Sequence, residues 1–509
     1  MDELILAHDL GTGGNKASLY NSEGACLVTH FEPYDTFYPQ RGRHEQRPMD
    51  WWQAVLDSTR TLIDKAGIKS TRIRCCAVSG HSLGVIPLDK NGMLLQDLIP
   101  IWSDARADQE AREFFKKIPE QDWYMETGNG FPAPLYSVFK LMWLKNNVPD
   151  LFNRIDTFIG TKDFINYLMT GALATDHSYA SGFGIYDLKN NRYSASLLAA
   201  SELPTGIFPN VIDSTACIGS LSKDAAAQLG LEAEIEVMAG GVDNSCMALG
   251  AMAYKQGRTY LSLGSSSWIA LSSEEPILDT KTKPFVFSHV VPGQFVSATS
   301  IFSAGSSLKW VRDNLCKDLT EQAEKQGGNA YDLMIKEAAE SPIGANGLIF
   351  NPNLAGGTSQ DYHPNQRGAF VGLDLGHTRH DVIRASLEGI SMGLRTALDA
   401  LRSLAVVHNP MLIVGGGGTS GFWRQTLADI FSMEIVKSNV DQDAAALGAA
   451  AIAAVGSGLW SDFEPLDRIH RIEHRSTPKK ENTKFYEDRL KQFDLISRAQ
   501  ADLAIMREM

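Results

Sequence analysis

Asp9-Leu10-Gly11-Thr12-Gly13-Gly14-Asn15-Lys16 is the stretch on which the reading of the fold turns. A strand-like run, Glu3–Asp9, leads into it, and a second, Lys16–Tyr20, leads out. A turn at Asn21–Gly24 follows, then a third run, Ala25–Phe31. Apolar and β-branched residues bounded by Gly and Asn are the signature of hairpins. Trp51, Val55, Leu56, Leu62 and Ile63 then mark one face of a helix over Asp50–Ala66, and Ile73–Ser79 reads as a buried strand. The first unit is therefore three strands, a helix and a strand. Its glycines permit a tight turn with exposed amides that could hold phosphate, and Asp9, at the strand edge, is placed to bind Mg²⁺ directly or through water. Alone, the motif fits an ordinary Gly-rich hairpin equally well. No Lys directly follows a Gly, so there is no Walker A loop.

The same order returns later. Arg258–Gly264, Ser267–Ser272 and Gln294–Thr299 read as strands, Ala304–Asn314 as a helix and Gly347–Asn351 as a further strand. Leu261-Ser262-Leu263-Gly264-Ser265-Ser266-Ser267-Trp268 repeats the strand–glycine–hydroxyl turn. Two related halves with one phosphate loop each would hold a nucleotide in the cleft between them. Downstream, Arg379–Leu404, Gly421–Phe431 and the Ala-rich Ala444–Val455 read as helices, with strands at Met411–Val414 and Ile435–Lys437. The charged segment beyond Pro465 ends in a helix that could pack back on either domain.

Two further motifs sit at strand ends. In Ala239-Gly240-Gly241-Val242-Asp243-Asn244, the strand Ile235–Ala239 delivers an acid to a helix start. Asp243 is placed either to cap that helix or to accept a hydroxyl proton in a cleft. Gly415-Gly416-Gly417-Gly418, between a strand and a helix, lets a planar ligand or a phosphate approach the backbone.

Composition narrows the class. At 509 residues the chain exceeds one compact core, so two large domains are expected. Apolar residues make up 44% and charged residues 21%, as in globular proteins. The 47 Lys and Arg against 60 Asp and Glu leave a net charge of −13, which disfavours nucleic-acid binding. The six cysteines show no C-x-x-C spacing; Cys75 and Cys76, adjacent on a strand, point to opposite faces and read as buried structural thiols. No signal-peptide pattern opens the chain and no run is long enough to cross a bilayer, so a cytoplasmic location is expected.

Taken in order, these motifs resemble the FGGY carbohydrate kinases of the actin, hexokinase and Hsp70 superfamily. Pro134-Leu135-Tyr136-Ser137-Val138-Phe139-Lys140-Leu141-Met142-Trp143 is similar to the first FGGY signature. Gly368-Ala369-Phe370-Val371-Gly372-Leu373 with Asp381-Val382-Ile383-Arg384-Ala385-Ser386-Leu387-Glu388 is similar to the second. Gly160-Thr161-Lys162-Asp163-Phe164 and Thr175-Asp176 also resemble the family's first domain, and the nearest branch looks like xylulokinase.

The resemblance implies an α/β chain of two ribonuclease-H-like, actin-like ATPase domains flanking a central cleft. Residues 1–242 would form the sugar-binding domain and 243–509 the nucleotide-binding domain. It implies ATP and Mg²⁺ as cofactors and a small ketose, xylulose or a related pentulose, as acceptor. Asp243 becomes the catalytic base, and Asp9 and Asp243 the metal-binding pair. The ATP site is assigned to Gly11, Thr12, Gly13 and Lys16, to Gly264, Ser265, Ser266 and Gly305, and to Gly415, Gly416, Gly417 and Gly418.

The sugar site is assigned to His81, Ser82, Leu83, Trp102, Asp104, Arg106, Asp243 and Asn244. One departure stands out. Xylulokinases carry Gly-Gln-Met-His-Gly where this chain has Gly80-His81-Ser82-Leu83-Gly84, so Leu83 takes the place of a sugar-contacting His. For His81 and Arg106, structural hydrogen bonds in the domain core fit equally well. Alternatives are a kinase of another polyol or signal diol, such as glycerol or erythritol, and a non-catalytic sugar or nucleotide sensor. No nucleic-acid or membrane partner is expected, and a homodimer is left open.

Overall fold

The computed structural model describes residues 3–508. Its frame is two large sheets with the same strand plan. In the first, the order is Cys217–Ser220, Glu236–Met238, Ile73–Gly80, Leu4–Gly11, Gly14–Asn21, Cys26–Pro33. Leu4–Gly11 runs antiparallel to Gly14–Asn21, with Asp9 opposite Lys16 and Gly11 opposite Gly14. It runs parallel to Ile73–Gly80, with Asp9 beside Ser79. Gly241 and Val242 extend the same sheet, Gly241 pairing with Ser79. Register thus draws Asp9, Ser79 and the segment leading to Asp243 to one end of the sheet.

The second sheet orders Phe285–Ser288, Phe295–Ile301, Ser267–Ser273, Thr259–Leu263, Met411–Val414, Ile435–Ser438, Ile472–Ser476. The meander of the first unit is repeated. Its parallel neighbour, however, is Met411–Val414, which pairs with Thr259–Leu263. The strand expected around Gly347–Asn351 forms as Ile349–Asn351, but it pairs with Ala369–Val371 in a separate two-stranded sheet. Two helices, Lys317–Gln326 and Ala330–Glu340, are inserted before it. The chain therefore returns to the main sheet only after the long helix Arg379–Arg402.

Between the sheets lie two crossing helices, Asp243–Gly250 and Ala444–Gly456. Ile5, Ala7, Cys75 and Ala77 of the first sheet and Tyr260, Ala270, Leu412 and Val414 of the second share one apolar core with them. The helices cross so closely that a Cβ on Gly250 would lie 1.7 Å from the Ala444 carbonyl oxygen, and one on Gly448 1.9 Å from that of Cys246. Only glycine permits that approach, and the Ala-rich sequence of the second helix suits it.

On the far face of the first sheet, Leu4, Leu6, Cys76 and Val78 pack on Trp51 and Val55 of the helix Pro48–Ala66. Cys75 and Cys76 are both buried, in the two cores on opposite faces of the sheet. The C-terminal helix, Lys480–Glu508, packs on Gly421–Phe431 and Ile349–Asn351 in the second half. Tyr486 Oη there donates to Glu388 Oε1 at 2.8 Å. No helix among the described residues is long and apolar enough to cross a membrane.

Candidate active site

The first glycine turn is held from three sides. Gln46 Nε2 donates to the Thr12 carbonyl at 2.7 Å, Tyr34 Oη donates to the Gly11 carbonyl, and Trp102 Nε1 donates to Thr12 Oγ1 at 2.9 Å. Gly13 at the tip is exposed. Asp9 accepts from Ser79 Oγ at 3.0 Å, and burial pushes its carboxyl up against the opposing pull of Lys16. Lys16 reaches across to the other half, donating to the Gln442 carbonyl at 2.8 Å and to Asp443 Oδ1 at 2.9 Å.

Asp243 is the first residue of its helix; the capping position is Val242, whose apolar side chain cannot accept a hydrogen bond. The Asp243 carboxylate is thus not spent on an N-cap. Among the described residues its Oδ1 accepts only the neighbouring Asn244 amide, at 2.8 Å. Burial, then the charge of Asp9, pushes the Asp243 carboxyl up to about 7. A carboxylate poised near neutrality is what a general base requires.

The second turn faces the cleft with Gly264, Ser265 and Ser266 exposed. It is braced by the start of the helix Gly305–Leu315: Gly305 N–H donates to the Gly264 carbonyl at 2.9 Å, and Ser306 N–H to the Ser265 carbonyl at 3.0 Å. A Cβ on Gly305 would lie 2.5 Å from that Gly264 oxygen. The four-glycine turn is attached to the same hairpin. Gly415 has φ +92, and a side chain there would meet the Leu263 carbonyl at 2.9 Å. Gly416 is exposed, and Gly415 N–H donates to Asp441 Oδ1 at 2.9 Å. Asp441-Gln442-Asp443 therefore ties the glycine turn on one side to Lys16 of the first hairpin on the other. Sequence reasoning passed over this tripeptide, whose acids look like any helix-start acids.

The residues assigned to the sugar separate into two groups. Trp102 is on the rim, 37% exposed. Ser82 and Asn244 are half-buried. Asp104 is wholly buried, with its oxygens occupied by the His44 amide at 2.7 Å and by Arg106 Nε and Nη2 at 2.8 and 2.7 Å. Arg106 also holds Glu45 at 2.6 Å and lies over the Trp143 ring at 5.0 Å. This is a buried ion-pair network supporting the rim.

His81 is 1% exposed, edge-on to Trp51 at 5.3 Å, and burial pushes it down to about 3, so the ring is neutral. Its Nδ1 lies 3.4 Å from Thr161 Oγ1, and its Nε2 has no partner among the described residues. Leu83 is also buried, at 2%, and has φ +62. Its carbonyl accepts from Lys140 Nζ at 3.0 Å, and Lys140 also holds the Ile101 carbonyl at 2.6 Å. Burial pushes this lysine down to about 7.

A carboxylate near two glycine hairpins in two like-built halves fits a phosphotransferase acting on a hydroxyl acceptor. The chain belongs to the FGGY family of carbohydrate kinases. The family's N-terminal domain matches residues 4–250 and its C-terminal domain residues 259–457. It is a sugar kinase, with ATP as the second substrate.

It is 30% identical over 490 residues to the xylulose kinase of Staphylococcus xylosus, covering 95% of this chain and 97% of that one. It is 28% identical over 502 residues to the gluconokinase of Bacillus licheniformis, covering 98% and 96%. Among solved structures it resembles ligand-bound xylulose kinase from Lactobacillus acidophilus, with TM-score 0.90, 25% identity and 98% of both chains covered.

Proposed function

We propose that this enzyme transfers the γ-phosphoryl group of ATP to a terminal hydroxyl of a small ketose, a pentulose such as xylulose. In this reading Asp243 takes the hydroxyl proton onto its carboxylate as the sugar oxygen attacks γ-phosphorus in line. The new O–P bond forms, the bond to the β–γ bridging oxygen breaks, and ADP leaves. The observation that carries the reading is the Asp243 carboxylate, uncommitted to any cap and set beside Asp9, the cross-strand neighbour of the Lys16 that bridges to Asp443.

Residues 1–242 supply the sugar-binding surface and 243–509 most of the nucleotide site. Thr12, Gly13, Ser265, Ser266 and Gly416 offer exposed or half-exposed backbone to the phosphates and base. Asp9 raises the proton affinity of Asp243, and a divalent cation held by the two carboxylates would relieve that repulsion. No group of three or more His, Cys, Asp or Glu among the described residues is arranged to hold a metal. Mg²⁺ needs none, since it keeps waters and takes one or two carboxylates plus phosphate oxygens. When bound, it would neutralise charge on the transferring phosphoryl group.

Likeness to gluconokinases makes an aldonate the second reading. Arg106 is already neutralised by Asp104 and Glu45, which favours an uncharged sugar. A panel of ketoses, polyols and gluconate, scored for acceptor-dependent ADP release, decides between them; strongest turnover on gluconate would overturn the pentulose reading. Asp243→Asn keeps shape and removes basicity, so turnover should fall at least ~10²-fold while ATP still binds. Near-normal turnover in that variant would remove Asp243 as the base.

A further inference from the structure

The motif Thr175-Asp176 and the neighbouring Lys162-Asp163 build a buried ionic cluster that the chemistry above does not use. Lys162, Asp163 and Asp176 are each no more than 1% exposed. Lys162 Nζ is 3.0 Å from Asp176 Oδ1 and also bonded to Asp163. Asp176 Oδ2 accepts Ser178 N–H at 3.0 Å, Ser214 Oγ at 2.7 Å and Ser178 Oγ. Charges so deeply placed cost several kcal/mol each to desolvate, so the cluster depends on its ion pairs and on the hydrogen bonds to Asp176 Oδ2.

One of its contacts reaches the segment that carries Asp243. Ser178 Oγ accepts the Val242 N–H at 3.0 Å, one residue ahead of Asp243. Val242 starts the helix without a side-chain cap, and this hydroxyl gives its buried amide an acceptor.

Every preceding residue of the segment is clamped as well. Asn166 Nδ2 donates to the Ala239 carbonyl at 2.8 Å, and Gly240 N–H to the Ser214 carbonyl at 3.0 Å. A Cβ on Gly241 would lie 2.3 Å from Val290 Cγ1 and 3.2 Å from Ser178 Oγ. The cluster also backs the strand that carries Ser79. A Cβ on Gly80 would lie 2.9 Å from Lys162 Cβ and 3.0 Å from its amide nitrogen.

We infer that Ser178, seated on Asp176 and Lys162, is a positioning residue for Asp243: its hydroxyl fixes the main chain from which the carboxylate projects. The inference rests on the reading of Asp243 as base. Misplacing a reacting group by about 1 Å can cost ~10²-fold in rate, whereas most residues assigned to ground-state binding of sugar and ATP lie on other elements. A positioning role therefore predicts loss in kcat without loss in KM.

The test uses the full-length enzyme with the best acceptor from the sugar panel. Ser178→Ala removes the tether and Ser178→Cys weakens it. Ser214→Ala deletes an equivalent hydrogen bond to Asp176 but none to Val242. The expected order of kcat is wild type, S178C, S178A, with S178A down ~10- to 100-fold, KM for both substrates within ~3-fold, and S214A down less than ~3-fold. S178A keeping wild-type kcat, S178A and S214A losing equally, or the loss appearing in KM would overturn the inference. If S178A does not fold, a wild-type kcat in S178C overturns it. Asp243→Asn is assayed alongside: an active D243N refutes the base, whereas a dead D243N with a normal S178A refutes only the tether.

Discussion

Lys16 and Asp443 meet across the cleft, Nζ to Oδ1 at 2.9 Å, with the Gln442 carbonyl a second acceptor at 2.8 Å. Lys16 is cross-strand from Asp9, and Asp443 immediately precedes the helix Ala444–Gly456. The contact joins the first phosphate hairpin to the element that also carries Asp441, the anchor of Gly415. Nucleotide phosphates entering between the hairpins would meet an ammonium already held at the interlobe boundary.

The side chains of this pair are 22% and 42% exposed, so the bridge should contribute no more than ~1 kcal/mol to stability. Lys16→Met should therefore lower the thermal midpoint by only a few degrees. The KM for ATP should rise ~10-fold, since a charged contact to phosphate contributes more than an exposed bridge. Steady-state kinetics against ATP, with differential scanning fluorimetry on the same sample, measure both.

The crossing helices leave no room for a methyl group. Gly448→Ala would set a carbon 1.9 Å from the Cys246 carbonyl, a backbone atom that cannot swing aside. Stability should drop by ~3 kcal/mol or more, the upper range for overpacking, because both helices must separate. Gly13→Ala is the counterpart, since a Cβ there meets nothing within 4 Å. It should leave the urea midpoint unchanged, and equilibrium unfolding of the two variants tests the contrast.

Leu83→His would restore the xylulokinase residue, but at a buried position. Leu83 belongs to the apolar core with Val85, Tyr179 and Phe183, and a Cβ on Gly182 would lie 2.9 Å from its Cδ2. An imidazole there lacks an evident partner and should cost ~1–3 kcal/mol. The expected outcome is a lower thermal midpoint together with a changed sugar profile. An unaltered midpoint would mean that the ring had turned out to the cleft.

Acid should weaken the fold through its buried neutral histidines, of which His289 and His470 are hydrogen-bonded examples. His289 Nε2 contacts the Ala253 carbonyl at 2.9 Å, and His470 bridges Ser438 Oγ at 2.9 Å and the Gly250 carbonyl at 2.8 Å. Burial pushes both down to about 4, below the unfolded value of 6.5. The unfolded chain then binds protons that the folded chain refuses. Their stabilising contribution is complete above pH 6.5 and is lost as pH falls from 6.5 to 4, by up to ~3 kcal/mol for each histidine. Urea titrations across that interval should show the decline. His470→Gln, which cannot be protonated, should flatten its share.

Much of the frame was legible because it depends on local pattern. Alternating apolar runs, the two glycine hairpins and the Ala-rich helix each announce themselves within a dozen residues, and their order carries the family resemblance. The pairing of the fourth strand in the second sheet did not. Ile349–Asn351 looks as strand-like as Met411–Val414, and only the intervening helices determine which one reaches the sheet.

The site divides along the same line. Asp9, Asp243, Gly264 and Gly415 stand at strand ends, where a turn signal marks them. Asp104 and Arg106 carry equally suggestive side chains, yet they neutralise each other in the core, and Leu83, at positive φ, is buried.

The two repeated units, the hairpins that end them and the acid that follows the strand Ile235–Ala239 can all be read from local pattern in the chain. Only the tertiary structure decided that Asp243 has Asp9 as its electrostatic neighbour, that Lys16 reaches Asp443, and that Ser178 holds Val242. Those relations span from 64 to 427 residues along the chain. Propensity and periodicity act over one or two turns of helix or strand. Proton affinity and hydrogen bonding depend on whatever folding brings within a few ångströms, and no local pattern encodes that.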